Sequence, residues 1–438
     1  MLRNHQIHYD DPIKGFSRPA RLFLMMIVID GIIFSAWQLF FNFYILQSGY
    51  TREVLGIFNS LPSAAALLLG IPLGRLSDRI GGRASIIAGI TLSGVFMLAQ
   101  VTFREPRLIG AAAFLYGAGN MLFVVSQAPL MAKVSSRENR TLLFSMSYGL
   151  QTLAGAVGAL FAGQLPAVFG GILKVEAHSA TAYQAVLITS ILLGTVSIVP
   201  MLMMKPPRLQ TRLPEGLPSP STSRSALPAT TGKITKPLLI ATARMTAPQV
   251  LIGFGAAILI PYINVFFKYQ FSISDSLLGV LFSLSSLFIG VGSVIGPRLA
   301  SVLGGKIRAI TATQSSSLVF LLMLGFSPYL WLSASAYLVR TTLMNMASPL
   351  YSAFCMERTP EEHQGFVNSV LNLAWSLGWA IGPFLSGVVQ ERYGFGPLFF
   401  ATSILYALAI LLIWVFFKRT ETDAETAPAT LRSPEYVE

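Results

Sequence analysis

Long apolar stretches separated by short polar segments make up most of this chain. They lie near residues 21–46, 54–74, 84–103, 108–132, 142–166 and 183–204, and again near 246–267, 276–296, 309–326, 332–356, 366–390 and 397–417. A helix of about 20 apolar residues crosses the roughly 30 Å hydrocarbon core of a bilayer. The pattern therefore predicts an all-α membrane protein with twelve transmembrane helices, numbered here as spans 1 to 12.

Polar segments divide the spans into two sets of six. The segment between the sets is rich in Pro, Ser and Thr and has no apolar period, which is typical of a flexible linker. The predicted organisation is a tail at 1–20, a six-helix bundle at 21–204, a linker at 205–237, a second six-helix bundle at 238–418 and a tail at 419–438.

The two sets repeat each other at an offset of about 223 residues. LGIFNSLPS at 55–63 aligns with LGVLFSLSS at 278–286, and RLSDRIGGR at 75–83 aligns with RLASVLGGK at 298–306. Parallel repeats of this kind occur in transporters whose halves are related by an axis along the membrane normal. We therefore expect two pseudo-symmetric six-helix bundles.

Composition agrees with a chain that faces lipid. Only 11% of the 438 residues are charged and 53% are hydrophobic, whereas soluble domains carry about 25% charged residues. Cys355 is the single cysteine, so no intrachain disulfide is possible. No removable signal peptide is apparent at the N-terminus.

The basic residues that give the chain its net charge of +12 lie mainly in the short loops and the tails. With the N-terminus inside, 23 Lys and Arg residues lie in cytoplasmic segments and 6 in outer loops. Cytoplasmic loops carry the excess of basic residues in membrane proteins. This predicts a multi-pass protein of the cell (plasma or inner) membrane with both tails and the linker in the cytoplasm, and the scattered charge excludes nucleic acid as a partner.

The loop after span 2 reads GRLSDRIGGR, from Gly74 to Arg83. Its glycines permit a tight turn, and Asp78 lies among three arginines. This sequence at this place in a twelve-span chain resembles the signature loop of the major facilitator superfamily (MFS) across residues 20–418. The resemblance implies two bundles, alternating access to a central cavity, and a cytoplasmic gate near Gly365. The gate residues that it implies are Gly74, Asp78, Arg79, Arg83, Arg137, Glu138, Arg140, Glu361 and Glu362.

The sequence departs from the family pattern in several places. Ser301 replaces Asp78 in the second copy of the loop. Span 4 has Ala113 or Tyr116 where many proton-coupled drug exporters have an arginine, and Ala159 follows Gly158 where the antiporter motif has proline. These departures weigh against a drug efflux antiporter.

Two charged residues lie inside predicted spans, Asp30 in span 1 and Arg340 in span 10. A charge at mid-helix costs about 2.5–3.5 kcal/mol on insertion scales and usually marks a substrate or ion pathway. We hypothesise that Asp30 couples protons or binds a substrate cation, and that Arg340 is its partner or binds a substrate anion. The alternative is a structural salt bridge between the two spans.

Further polar and aromatic residues fall on single helical faces, and the resemblance implies that spans 1, 4, 7 and 10 line the cavity. The substrate-cavity candidates are Phe34, Trp37, Gln38, Phe41, Asn120, Gln127, Gln249, Asn264, Tyr351, Asn372, Trp375 and Trp379. The alternative is that the amides bond neighbouring helices and the aromatic rings pack.

We favour a secondary active transporter of a small organic solute, moved by alternating access and coupled to protons. The mixed lining suits a polar or amphipathic molecule with an anionic or hydroxyl group. A multidrug-type proton antiporter is the alternative within transport, and a channel or a membrane enzyme outside it. The four histidines lie in tails or loops, so we expect no catalytic site, no metal and no enzyme activity. We expect no cofactor, and a monomer whose partners are the solute, protons and the lipid bilayer.

Overall fold

The computed structural model describes residues 16–136, 139–204 and 235–426, apart from the side chains of Thr141, Val294, Glu361 and 419–426. Most of the predicted tails and linker therefore lie outside the described residues. Within those ranges every element is helical. The elements are α1 (Arg18–Gln47), α2 (Arg52–Ile80), α3 (Gly82–Thr102), α4 (Pro106–Val134), α5 (Arg140–Ala162 and Leu165–Leu173), α6 (Ala180–Gly194, a 3-10 turn at Thr195–Ser197, and Ile198–Met203), α7 (Lys236–Leu259, a 3-10 turn at Ile260–Tyr262, and Ile263–Phe271), α8 (Asp275–Val302), α9 (Lys306–Phe326), α10 (Leu330–Glu357), α11 (Glu361–Tyr393) and α12 (Gly396–Thr426).

Ten of these segments are long and apolar enough to cross a membrane. The other two, α10 and α11, have 28 and 33 residues. At 1.5 Å per residue they measure about 42 and 50 Å, which exceeds the hydrocarbon core, but they carry more polar residues. The all-α membrane fold is thus confirmed, and the described segments are consistent with the predicted count of twelve.

Helices α1 to α6 form an N-terminal bundle and α7 to α12 a C-terminal bundle. In the first, α1 packs against α5 and α6, and α4 packs against α2 and α3. In the second, α7 packs against α11 and α12, and α10 packs against α8 and α9. These pairings are related by the 223-residue repeat, as are the turns at Gly81 and Gly304. Both glycines have positive φ, +86° and +70°, which side chains on Cβ disfavour.

Because the helices alternate in direction, the loops fall on two faces. We call the face with the turns at Gly81 and Gly304 the tail face, because α1 begins and α12 ends there. The opposite face, with the turns at Gly49 and Gly394, is the far face.

The two bundles meet at the far face through close backbone contact. A Cβ atom on Gly279 of α8 would lie 2.6 Å from the Ala159 carbonyl oxygen of α5, and one on Gly56 of α2 would lie 2.6 Å from the Pro383 carbonyl oxygen of α11. The Ser60 hydroxyl accepts from the Phe384 N–H at 3.0 Å. These α5–α8 and α2–α11 contacts are equivalent under the repeat.

The same helices separate toward the tail face. Ile71 lies three turns below Ser60 on the same side of α2 and is 56% exposed. Tyr148 lies three turns below Ala159 on α5 and is 55% exposed. A Cβ on Gly149 would have no heavy atom within 4 Å. The described part of the chain is therefore closed at the far face and open at the tail face.

Matched glycines on α8 test this arrangement. A Cβ on Gly279 would overlap the α5 backbone, whereas a Cβ on Gly290, three turns nearer the tail face, would have Thr152 as its nearest neighbour at 4.0 Å. We expect Gly279→Ala to destabilise the protein by about 1–3 kcal/mol through overpacking. Gly290→Ala should be neutral or stabilising by up to about 1 kcal/mol because alanine favours helix.

The measurement is thermal unfolding in detergent, together with a spin-label distance between the far-face ends of α5 and α8. Gly279→Ala should lengthen that distance and Gly290→Ala should leave it unchanged. Equal effects of the two substitutions would contradict the proposed closure.

Candidate functional site

A cavity of about 410 Å³ lies inside the N-terminal bundle. Side chains of α1, α3, α4 and α6 line it, together with Gln151 of α5. Its polar lining residues are Asp30, Ser93, Tyr116, Asn120, Gln127, Gln151, Ser190 and Thr195. Phe34, Trp37 and Phe123 add an aromatic wall.

Asp30 is the only charged residue of this lining. Its neighbour Gly31 faces α5, where a Cβ would lie 2.9 Å from the Gln151 carbonyl oxygen. This close contact turns Asp30, Phe34 and Trp37 toward the cavity, because they lie on one helical face. Among the described residues, none forms a hydrogen bond or an ion pair with the Asp30 carboxylate, which leaves it available to a proton or a ligand.

Trp37 is held in place by its neighbours. Its ring stacks on Phe41 at a centroid distance of 4.3 Å and lies 6.1 Å from the ring of Tyr116. Offset aromatic contacts of this kind fix ring orientation. Nearby, the Ser93 hydroxyl is buried without a hydrogen-bond partner in the described chain. Buried hydroxyls normally have a partner, so Ser93 offers an unused polar group to an occupant of the cavity.

Five predicted site residues come together here: Asp30, Phe34, Trp37, Asn120 and Gln127. Sequence reasoning missed Ser93, Phe123, Gln151, Ser190 and Thr195. Three of these lie on α3 and α6, which the resemblance does not place among the cavity-lining helices. Their spacing in the sequence shows no polar period that would have singled them out.

Arg340 lies elsewhere, and the hypothesis that it pairs with Asp30 is not met in this conformation. The residue is 3% exposed and sits inside the C-terminal bundle. Its Nη2 donates to the Tyr406 hydroxyl at 3.0 Å, and the guanidinium lies 5.6 Å from the centre of the Tyr406 ring. Its Nε has no partner among the described residues.

Eight other candidates do not line this cavity: Gln38, Phe41, Gln249, Asn264, Tyr351, Asn372, Trp375 and Trp379. Three of them, Tyr351, Asn264 and Asn372, donate to backbone carbonyl oxygens. Tyr351 donates to the Met245 carbonyl oxygen at 2.6 Å. Asn264 donates to the Leu39 carbonyl oxygen at 2.9 Å and accepts from Asn42 at 3.0 Å, which joins the bundles near the far face. Asn264 thus makes the kind of contact between helices that the structural alternative describes. On α11, Trp375 and Trp379 lie 6.3 Å apart, and Asn372 donates to its own helix at 2.9 Å.

A buried carboxylate also joins the two bundles at the far face. Asp275, in the first turn of α8, is 5% exposed and accepts from Lys268 at 2.6 Å. From the N-terminal bundle, the Tyr183 hydroxyl donates to its Oδ2 at 3.1 Å, and His178 Nδ1 lies 3.0 Å from the same oxygen. Sequence reasoning missed this cluster because its members come from α6, α7, α8 and the α5–α6 loop, and only the fold brings them together.

The predicted gate residues lie apart at the tail face. Asp78 and Arg79 are exposed, and a Cβ on Gly74 would have no heavy atom within 4 Å. Arg83 donates to the carbonyl oxygens of Met201 and Leu202 at 2.8 and 2.9 Å, which ties the α2–α3 turn to the end of α6.

The remaining gate residues make local contacts where they are described. Arg140 donates to the Ala132 carbonyl oxygen at 3.3 Å. Glu362 lies 3.3 Å from the neighbouring His363 ring. Arg137, Glu138 and the side chain of Glu361 lie outside the described residues.

A family model described as Major Facilitator Superfamily matches residues 22–383 and 245–434. The chain belongs to the Major Facilitator Superfamily. This confirms the resemblance that the α2–α3 loop carries.

Curated relatives within the superfamily match only part of the chain. Multidrug resistance protein MdtG of Enterobacter lignolyticus (strain SCF1) is 27% identical over 170 residues, and that of Rahnella sp. (strain Y9602) is 25% identical over 170 residues. Each match covers 36% of this chain and 40% of the relative. The chain thus matches about two fifths of the length of these relatives.

Solved superfamily structures match nearly the whole fold. A bacterial homologue of the iron transporter ferroportin, inward-facing, has a TM-score of 0.69 at 15% identity, covering 91% of this chain and 98% of that one. The nucleoside transporter NupG has a TM-score of 0.68 at 12% identity, covering 92% and 99%. At such low identity these likenesses concern the fold alone.

Substitutions in the Asp275 cluster test its role in this superfamily fold. Asp275→Asn leaves Lys268, whose side chain is 16% exposed, without a carboxylate. Breaking a fully buried pair costs about 3–5 kcal/mol, and we expect a smaller cost here because Lys268 keeps some contact with solvent. Tyr183→Phe removes one hydrogen bond to a charged group, worth about 1.5–3 kcal/mol. Because both act on one contact, we expect the double variant to cost less than the sum.

The measurement is the spin-label distance across the far face, with unfolding as the stability readout. Glu176→Gln, an exposed carboxylate in the same α5–α6 loop region, is the control and should change neither. A fully additive double variant would show that Tyr183 and Asp275 act independently.

Proposed function

We propose that this protein is a secondary transporter that moves a small organic solute across the cell membrane by alternating access, with protons as the coupling ion. The observation that carries the proposal is the pairing of a one-sided opening with a cavity that holds one unpaired carboxylate. A solute can enter the cavity from the tail face while the far face is closed. Transport then requires the far-face contacts to break and the tail face to close.

The charge distribution supports an orientation for this cycle. With 23 basic residues on the tail side against 6 on the far side, the tail face is cytoplasmic. Both chain ends then lie in the cytoplasm, and the described conformation is inward-facing. Within this proposal the chain is a transporter and not an enzyme, and it acts as a monomer.

The side chains that line the cavity restrict the chemical class of the solute. Its single charge is negative and its other polar groups are amides and hydroxyls. A carboxylate in a low-dielectric cavity repels anions and attracts cations. Of the anionic and hydroxyl-bearing solutes expected from the sequence, this supports the hydroxyl-bearing one, and it adds a cationic amphipathic solute. The aromatic wall adds flat apolar surface and cation–π contacts.

A multidrug-type proton antiporter is the second candidate. It is supported by the aromatic wall beside a lone acid and by the names of the MdtG relatives. In that case the proton and a cationic solute compete for Asp30, and the two move in opposite directions.

Proton movement through Asp30 is the decisive measurement. We expect purified protein in proteoliposomes with an internal pH dye to move protons when ethidium, a cationic aromatic probe, or sorbitol, a neutral polyol, is added. Asp30→Asn should reduce that signal to the level of empty vesicles, because an amide side chain neither binds nor releases a proton near neutral pH. The direction of the proton signal separates symport from antiport.

The control is Glu176→Gln, which removes an exposed carboxylate outside the cavity and should leave the proton signal unchanged. Normal coupled movement in Asp30→Asn would exclude Asp30 as the coupling site. Solute uptake by the wild-type protein without proton movement would support the proposal of transport and exclude protons as the coupling ion.

The tail-face loop yields a second expectation. In the proposed cycle Asp78 latches against α11 only when the tail face closes, which explains its exposure in the open state. We expect Asp78→Asn to lower the population closed at the tail face, read from a spin-label distance between the α2–α3 turn and the start of α11. Arg298→Gln at the tail end of α8 is the control. A distance distribution identical to wild type in Asp78→Asn would exclude the latch.

A further inference from the structure

A second concavity lies on the outer surface of the C-terminal bundle, between α9 and α12. It has a volume of about 670 Å³ and is separate from the Asp30 cavity. We call it the α9–α12 groove. Its lining residues are Leu303, Arg308, Thr311, Ala312, Ser315, Leu318, Ala407, Ile410, Leu411 and Trp414.

The groove exists because small side chains occupy both of its walls. Ala312 and Ser315 on α9 and Ala407 on α12 leave space between the larger side chains of Leu318, Ile410, Leu411 and Trp414 in the same lining. On α9 the lining positions 308, 311, 312, 315 and 318 follow one helical face. That face points outward, since Ala312 and Ser315 are exposed, and in a membrane it meets lipid.

The depth of the groove corresponds to one leaflet. Arg308 is two residues from the start of α9 at the tail face, and Leu318 is ten residues further on. At 1.5 Å per residue the groove therefore runs about 15 Å into the membrane, half of the roughly 30 Å hydrocarbon core. On α12 the lining runs the same way, from Trp414 near the tail face to Ala407.

The charged residue in the lining of the α9–α12 groove lies at one end of the groove. Arg308 lies at the tail-face mouth, where lipid headgroups sit, and the deep end is lined by Leu318 and Ala407. Trp414 lies at the same level as the mouth, which is the depth that tryptophan prefers in bilayers. Basic pockets between transmembrane helices bind acidic phospholipid headgroups.

We propose that the α9–α12 groove is a binding site for an acidic phospholipid of the tail-face leaflet. One acyl chain lies along Ala312, Ser315 and Ala407, and the phosphate group contacts Arg308. The apolar walls account for the chain, and the basic mouth accounts for the headgroup. A zwitterionic lipid makes the same contact between its acyl chain and the apolar walls, but its headgroup is attracted less strongly to Arg308.

The test uses the purified full chain, equilibrated in mixed micelles with equal phosphatidylglycerol and phosphatidylcholine of identical chains, followed by native mass spectrometry. We expect phosphatidylglycerol to be retained over phosphatidylcholine by roughly fivefold, the attraction of about one basic residue to an acidic lipid surface. Arg308→Gln should abolish that preference and keep total lipid. Ala312→Leu should displace both lipids by filling the groove.

Two matched variants serve as controls. Arg298→Gln removes an exposed arginine of the same face outside the groove, and Ser316→Leu adds the same bulk to α9 beside it. Both should bind lipid as wild type does, and helical content by circular dichroism should be equal in all variants. Equal retention of the two lipids by wild type would overturn the proposal. Loss of preference in Arg298→Gln as large as in Arg308→Gln would also overturn it, because attraction would then be spread over the face.

Discussion

Backbone contact between the two bundles at the far face is the constraint on which the rest of this arrangement depends. Glycine at positions 163 and 279, and at position 56 against Pro383, lets helices touch without side chains between them. In lipid, where no hydrophobic force drives helices together, such close packing supplies much of the attraction. Because the contact lies at one end of long helices, the opposite ends separate. The tail-face opening, the exposed α2–α3 loop and access to the Asp30 cavity all follow from it.

The two bundles share a repeated fold but divide the charged groups unequally. At the 224-residue offset, Arg340 of α10 corresponds to Tyr116 of α4, and the latter lines the Asp30 cavity. The N-terminal bundle thus holds a carboxylate in an open cavity, whereas the C-terminal bundle buries a guanidinium against Tyr406. One half offers an ionisable group to solutes, and the other keeps a fixed charge internal. The pseudo-symmetry therefore governs the scaffold and the inter-bundle contacts and does not extend to the chemistry of the cavity.

Much of the fold could be predicted from the sequence because membrane insertion requires long local runs of apolar residues. Runs of about 20 apolar residues and the repeated loop at Gly74–Arg83 predicted the helices and the family. The cavity was predicted only in part. Asp30 and the residues on its face, Phe34 and Trp37, follow from helical period, but Ser93 and Gln151 reach the cavity through tertiary packing. Asn264 and Tyr351 stay predicted ligands, although each also has a backbone partner. The Asp275 cluster joins residues of α6, α7, α8 and the α5–α6 loop, which no local pattern connects.

The lower apolarity of α10 and α11 has a consequence for biogenesis. Ten of the described segments are long and apolar enough to cross a membrane, whereas α10 carries Arg340 and α11 carries a row of amides. Such helices partition into lipid poorly on their own, because polar groups in hydrocarbon need partners. Those partners are helices made earlier: α10 packs against α8 and α9, and α11 packs against α2 and α7. Helix α10 therefore finds its partners within its own bundle, whereas the placement of α11 depends in part on α2 of the first bundle.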